Sequence, residues 1–224
     1  MSSDIKTSED QLLEVIREKL YVAVVSDVLD ALGYLDQAMT ANIRPLEPHM
    51  RVIGRAHTVL TADVYERPAE PYRLEIESVD ALKPGDVMVA CVNGSERTCF
   101  WGELLSTAAT ARGANGCIIE GHTRDALQII DMGFPLFCTG FRPVDSSSRS
   151  TVVSYGVPVV VGGVHVNQGD IIFGDYDGIV VIPQALLEEV VGLALKKVES
   201  ENHSRDMLRE GYLLRDVYDK FGVL

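Results

Sequence analysis

The sequence predicts one α/β domain. Apolar strand-like runs alternate with amphipathic helical stretches through the middle of the chain, glycines and prolines punctuate them, and no low-complexity linker divides the 224 residues. That length suits a single domain with a full core.

The elements follow in order. Ser8 with Gln11 three residues on is a capping-box pattern, and Leu12, Leu13, Ile16 and Leu20 recur on one face, so the first 25 residues hold an N-terminal helix. A second short helix is predicted over 26–32, stopped by Gly33. Residues 52–62 alternate loosely as a strand. Residues 65–72 hold two prolines among polar side chains and read as a surface loop. A Pro84-Gly85-Asp86 turn feeds a strand over 87–91, and a second loop covers 93–99. A helix over 102–112 ends at Gly113; a strand over 117–120 and a helix over 125–132 follow, the latter closed by Gly133 and Pro135. Residues 150–183 are rich in β-formers, with strands at 158–161, 170–173 and 178–182. From 184 to 224 the chain reads as a helical tail, charged between Glu199 and Glu210 and broken by Gly211 and Gly222.

Composition limits the function. The chain carries 33 Asp+Glu against 20 Lys+Arg, a net charge of −13, and its basic residues are scattered singly or in pairs such as Lys196-Lys197. Such a surface repels the phosphates of a nucleic acid, so direct nucleic-acid binding is not expected. A small anionic substrate remains compatible, because one placed arginine reverses the sign inside a pocket. Cys91, Cys99, Cys117 and Cys138 lie at least eight positions apart and form no CxxC motif. The polar Met1-Ser2-Ser3-Asp4-Ile5-Lys6 start lacks the apolar core of a signal peptide, and no run is long enough to span a membrane. The expectation is a soluble, cytoplasmic protein with four reduced thiols. Mean hydropathy is +0.10, consistent with surface buried between copies.

Three constellations bear chemistry. Gly102-Glu103-Leu104-Leu105 opens a helix whose first amides lack carbonyl partners, and a glycine there lets a carboxylate approach. The same residues also suit an ordinary helix start with both leucines in the core. Gly121-His122-Thr123-Arg124-Asp125 lies between a strand and a helix. Arg124 is a permanent cation suited to a keto oxygen or carboxylate, and Asp125 offers hard oxygens for Mg²⁺ or Mn²⁺. Asp125 equally fits a helix N-cap, and Arg124 an exposed position. The acidic Glu199-Ser200-Glu201-Asn202-His203 stretch reads either as a further carboxylate source or as a solvated helix face. His49, His57, His122, His165 and His203 form no metal-spaced pair, which disfavours zinc. No GxGxxG, GxxxxGK[ST] or GxSxG motif is present.

The run from Trp101 to Gly116 followed by Gly121–Asp125 resembles the signature of the class II pyruvate aldolases and the regulator of ribonuclease activity A. The aldolases of this RraA-like group act on 4-hydroxy-4-methyl-2-oxoglutarate and 4-carboxy-4-hydroxy-2-oxoadipate. Ser26-Asp27, Ala31-Leu32-Gly33 and the run from Gly169 to Pro183 extend the resemblance over nearly the whole chain. It implies a swivelling β/β/α fold, assembled as a homotrimer or homohexamer with sites at subunit interfaces. It further implies that Gly102, Glu103 and the amides of Leu104 and Leu105 hold a pyruvyl carboxylate. Arg124 then contacts the keto oxygen and Asp125 binds a divalent metal. A C-terminal glutamate from a neighbouring subunit completes the metal site, Glu201 first by its place four before Arg205, or Glu199. Glu120, His122 and the 65–72 loop depart from the well-studied aldolases, which bears on substrate identity. The implied activity is retro-aldol cleavage of a 4-hydroxy-2-oxo acid to pyruvate, with oxaloacetate decarboxylation as a side reaction. The alternative in the same group is a non-catalytic regulator that docks on ribonuclease E.

Overall fold

The computed structural model describes residues 8–223, so the polar start before Ser8 lies outside the described residues. The capping box is formed: the Gln11 N–H donates to Ser8 Oγ at 3.3 Å and the Ser8 N–H to Gln11 Oε1 at 2.9 Å. It starts α1 (Glu9–Lys19), which buries Leu13 and Ile16. The second helix, α2 (Val22–Ala31), begins four residues earlier than predicted and buries Val22, Val24 and Val25. Its own N-cap, Tyr21, makes no side-chain capping bond. The first amide, that of Val22, donates instead to the Asp175 carboxylate at 2.9 Å, a partner 153 positions away that no local pattern announces.

A short β1 (Arg44–Pro45) precedes the long β2 (Val52–Asp63), then α3 (Arg73–Asp80), β3 (Asp86–Cys91) and β4 (Cys99–Trp101). Next come α4 (Glu103–Ala111), β5 (Gly116–Ile119), β6 (His122–Thr123), α5 (Ala126–Asp131), β7 (Leu136–Cys138) and β8 (Gly140–Phe141). The β-rich stretch resolves into β9 (Ser150–Tyr155), β10 (Val159–Val161), β11 (Val164–Val166), β12 (Ile171–Gly174) and β13 (Ile179–Ile182). A 3₁₀ turn at Gln184–Leu186 leads into α6 (Leu187–Arg209) and α7 (Leu214–Phe221). The elements without a predicted counterpart are α3 and the strands β1, β4, β6, β7, β8, β9 and β11, the last two within the stretch expected to be rich in β-formers.

The main sheet runs β1-β7-β5-β3-β2-β12-β13, with β9 paired to the second half of β2. Its centre, β2-β3-β5-β7, is parallel, and β1, β9, β12 and β13 join antiparallel. Strands buried on both faces read as near-continuous apolar runs, as β3 (Asp86-Val87-Met88-Val89-Ala90-Cys91) does. One face packs Val87, Val89, Ile118 and Phe137 against the β10–β11 hairpin. The other packs Met88, Cys117, Ile119 and Leu136 beneath Val79, Ala109 and Ile129 of α3, α4 and α5. Helices α1, α2 and α6 cover Ile53, Ile171, Phe173 and Ile182 beside them. Hairpin, sheet and helices make the three β/β/α layers, and the chain forms one mixed α/β domain. All four cysteines are buried and free. Among the described residues no helix is long and apolar enough to cross a membrane.

Gly54 permits the tightest approach in this sheet: a Cβ there would stand 2.1 Å from the Gly85 carbonyl oxygen. Gly54→Ala is expected to cost more than about 2 kcal/mol, because the obstacle is backbone and cannot rotate away. Gly192, inside α6, has no neighbour within 4 Å of such a Cβ. Gly192→Ala is expected to add about 0.5–1 kcal/mol by raising helix propensity. Denaturant melts of the two variants, read for opposite shifts in midpoint, check both.

Candidate active site

Strands β4, β6 and β8 form a small parallel sheet of their own, with Trp101 opposite Thr123 and Thr123 opposite Phe141. Parallel strands in register release their following residues at one edge, the usual ligand-collecting edge of α/β sheets. Three loops therefore meet: Gly102 after β4, Arg124-Asp125 after β6, and Arg142 to Ser146 after β8. Backbone bonds tie them, the Arg124 N–H donating to the Trp101 carbonyl at 3.1 Å and the Arg142 N–H to the Thr123 carbonyl at 3.0 Å. Beneath, the Trp101 indole N–H donates to Ser106 Oγ at 2.8 Å, and Ser106 Oγ donates to the Gly102 carbonyl at 3.1 Å.

Gly102 is the N-cap of α4, with extended backbone that any residue adopts and no side chain to cap the helix. What demands glycine is space: a Cβ would lie 2.8 Å from Asp125 Oδ2 and 3.3 Å from Arg124 Cγ. The Asp125 carboxylate supplies the cap instead, accepting from the Glu103 N–H at 3.3 Å. Asp125 occupies the N-cap position of α5, yet its side chain makes no cap bond to that helix. The N-cap position expected for Asp125 is therefore occupied by it, while its carboxylate is turned away from α5 and towards α4. Its backbone is left-handed, φ 57°, a conformation uncommon outside glycine and concentrated at functional sites. Placing both leucines in the core also fails for one of them: Leu105 packs inward, whereas Leu104 is 76% exposed. The Glu103 carboxylate accepts from the Thr107 hydroxyl on the same helix.

Arg124 reaches into a cleft of about 290 Å³ lined by Glu75, Trp101, Gly102, Leu105, Asp125 and Asp145, among others. Its guanidinium lies 3.2 Å from Asp145 Oδ1 and 3.7 Å from Asp125 Oδ2. Burial raises the Asp145 pKa, but hydrogen bonds from Tyr72 and Ser147 and the Arg124 charge outweigh it and hold that carboxyl below its ordinary value. Glu75 behaves oppositely. It is 7% exposed, accepts one bond from the Ser146 hydroxyl at 3.2 Å, and burial pushes its pKa up to about 7. Asp145 adds to that rise, while Ser146 and Arg124 oppose it.

The structure thus brings Gly102, Leu105, Arg124 and Asp125 together, with Glu103 and Leu104 on the same helix start. It does not bring Glu201 or Glu199 to them within one chain. Glu201, on α6, accepts from the Tyr21 hydroxyl and pairs with Lys197 at 3.5 Å, and Glu199 is exposed on the same helix. Among the described residues no three His, Cys, Asp or Glu side chains form a metal-sized cluster. Glu75, Asp145 and Tyr72 are cleft residues the sequence reading missed. Glu75 carried no signal in the sequence, because α3 buries Glu75 and Ser78 beside Val79 on a face where apolar residues are the rule.

This geometry defines a class first: a β/β/α protein whose strand-end loops gather an arginine, an acid and free helix amides, an arrangement suited to a small oxygen-rich anion. The chain belongs to the RraA-like family, described as aldolase/RraA, whose model matches residues 22–181. Protein DlpA of Legionella pneumophila is 29% identical over 199 residues, which make up 89% of this chain but 32% of that longer protein. A Halalkalibacterium halodurans protein whose name proposes a 4-hydroxy-4-methyl-2-oxoglutarate aldolase is 31% identical over 182 residues, 81% of either chain. Streptomyces coelicolor RraAS2, described as an unusual member of the RNase ES inhibitor RraA protein family, is similar with a TM-score of 0.79. That similarity has 28% identity over 89% of this chain and 98% of the other.

Because folded Glu75 binds its proton more tightly than the unfolded chain does, its contribution to stability is complete below about pH 4.5 and is lost as pH rises through about 7. Glu75→Gln removes that slope. Above pH 7 the variant is expected to exceed wild type by up to about 3 kcal/mol, and near pH 4 to show no such gain. Thermal melts across this range check the sign.

Proposed function

We propose that the chain is a divalent-metal-dependent lyase that cleaves a 4-hydroxy-2-oxo acid to pyruvate by retro-aldol chemistry, with oxaloacetate decarboxylation as a side activity. The observation that carries the reading is the meeting of Arg124 and Asp125 with the open amides of α4 across Gly102. The relative from Halalkalibacterium halodurans supports the same chemistry.

A hard divalent ion fits this cleft. Asp125 Oδ1 has no hydrogen-bond partner among the described residues, and the strained backbone at Asp125 fixes the carboxylate at the mouth of the site. One carboxylate with water is a normal environment for Mg²⁺. Asp125 would hold the ion, and Glu201 or Glu199 of a neighbouring copy would add a carboxylate in a trimer or hexamer. When bound, Mg²⁺ or Mn²⁺ supplies Lewis-acid polarisation of the keto group.

The chain's own residues do the rest. The amides of Leu104 and Leu105 bind the pyruvyl carboxylate at the positive end of α4. Arg124 donates to the keto oxygen, which gains negative charge as the C–C bond breaks. Asp145 fixes the guanidinium before substrate arrives, so little reorganisation is left for the reaction itself. A donor placed in this way is worth about 3–4 kcal/mol.

The likeness to RraAS2 favours a second reading, a regulator that binds a ribonuclease. One experiment separates them. Pyruvate release from oxaloacetate is expected with Mg²⁺ or Mn²⁺, to vanish with EDTA and in Asp125→Ala, and to fall roughly 10²–10³-fold in Arg124→Ala. No turnover with either metal, together with capture by ribonuclease E, would establish the regulator instead.

A further inference from the structure

The cleft holds three carboxyl groups around one guanidinium, and the reading above uses only two of them. Asp125 faces the start of α4, and Asp145 is tied to Arg124 and Tyr72. Glu75 has neither role. It has no ion-pair partner among the described residues. Its Oε2 accepts from Ser146, and no hydrogen bond reaches its Oε1 among the described residues. A glutamate this buried is ordinarily paired, and one left unpaired on the wall of a cleft is a functional group by default.

Resting on the proposed lyase reading, we propose that Glu75 is the proton carrier of the site, taking the substrate's C4 hydroxyl proton and returning it to C3. As a carboxylate, Glu75 accepts the proton while the O–H electron pair becomes the C4 carbonyl. The C3–C4 pair moves into the C2–C3 bond of the enolate, whose oxygen lies at Arg124. The C4 carbonyl product departs. As a carboxylic acid, Glu75 then protonates C3, the enolate oxygen returns to a keto group, and pyruvate leaves. One proton is taken and the same one given back, so the cycle needs no other reagent.

The surroundings suit a group that must both accept and donate. Burial and Asp145 favour its neutral form, while Ser146 and Arg124 favour the charged one. A carboxyl balanced near neutrality holds both forms in useful amounts, the condition for general acid–base work. The neighbouring carboxyl is driven the other way, so Asp145 stays charged as the anchor of Arg124. The other titratable groups on the cleft are Asp125, Tyr72, and the Cys99 thiol, which burial raises. Of the elements packed on α3, β9 brings Tyr155. At α4 stand Glu103, bonded to Thr107, and Arg112 at the C-cap, paired with Asp80 at 2.9 Å.

The test compares wild type, Glu75→Gln and Glu75→Asp, each loaded with Mg²⁺ or Mn²⁺. Three signals are read: cleavage of 4-hydroxy-4-methyl-2-oxoglutarate, exchange of pyruvate methyl protons in D₂O by NMR, and CO₂ release from oxaloacetate. Glu75→Gln is expected to lose roughly 10²–10⁴-fold in kcat for cleavage and in exchange, with KM little changed. It should also lose the rising limb of the wild-type kcat/KM profile near pH 7. Glu75→Asp should recover part of both signals. CO₂ release removes no hydroxyl proton but still leaves an enolate to be protonated at C3, so in Glu75→Gln it should fall by less than cleavage does. In the metal-free protein, ¹³C NMR of the Glu75 carboxyl, assigned by its loss in Glu75→Gln, should show titration well above an ordinary glutamate. Wild-type cleavage and exchange in Glu75→Gln, or ordinary titration of Glu75, overturns the proton-carrier role and leaves the lyase intact. Wild-type protein that gives none of the three signals overturns the lyase reading, and the carrier role with it.

Discussion

The Asp125 carboxylate stands 2.8 Å from where a Cβ at position 102 would lie, closer than a side chain there would tolerate. That contact joins two loops that leave different strands, and the site depends on it. It gives α4 a cap that its own sequence lacks, and it aims an acid and a guanidinium at the same helix start. The left-handed backbone of Asp125 is the cost of reaching across, held in place by the Arg124 amide bonded to Trp101 and the Trp101 indole bonded to Ser106. These loops leave strand ends and a helix start above a fully buried Trp101, which ties them to the packed part of the fold.

Charge then orders the cleft. One guanidinium serves two flanking aspartates, and it also acts at longer range on a third, buried carboxyl. Two acids on one cleft therefore behave differently: its donors hold the Asp145 carboxyl below its ordinary value, while burial raises Glu75 to about 7, where both of its forms are populated. The net charge of −13 gives no hint of this local division. Position relative to Arg124, more than acidity of the chain, decides what each carboxyl does.

Local chemistry was legible in the sequence wherever both partners lie close along it. The Ser8–Gln11 box, the Gly33, Gly113 and Gly133 stops, and the apolar runs of the central strands all appear where side-chain pattern places them. The pairing of a Gly102 helix start with Arg124-Asp125 was legible only through the family resemblance, because each half alone equally suits an ordinary helix start or surface position. What escaped depends on distant partners. The start of α2 is set by Asp175; α3 is short and turns Glu75 and Ser78 inward, so its pattern does not look like a core face. Strands of two or three residues, as in β6 and β8, carry no period to detect. Asp145 acquires meaning only through Arg124, and Glu201 lies in a separate cluster with Tyr21 and Lys197.

The three-stranded sheet of β4, β6 and β8 is separate from the eight-stranded one that carries most of the core. The segment after β8, which brings Asp145 and Ser146, runs from this small platform straight into β9, whose first residue, Ser150, pairs with Asp63 of β2 in the main sheet. Asp145 and Ser146 thus hang between two separate sheets, so a change in the length of their loop would shift the partners of Arg124 and Glu75 together while leaving the Gly102 junction in place.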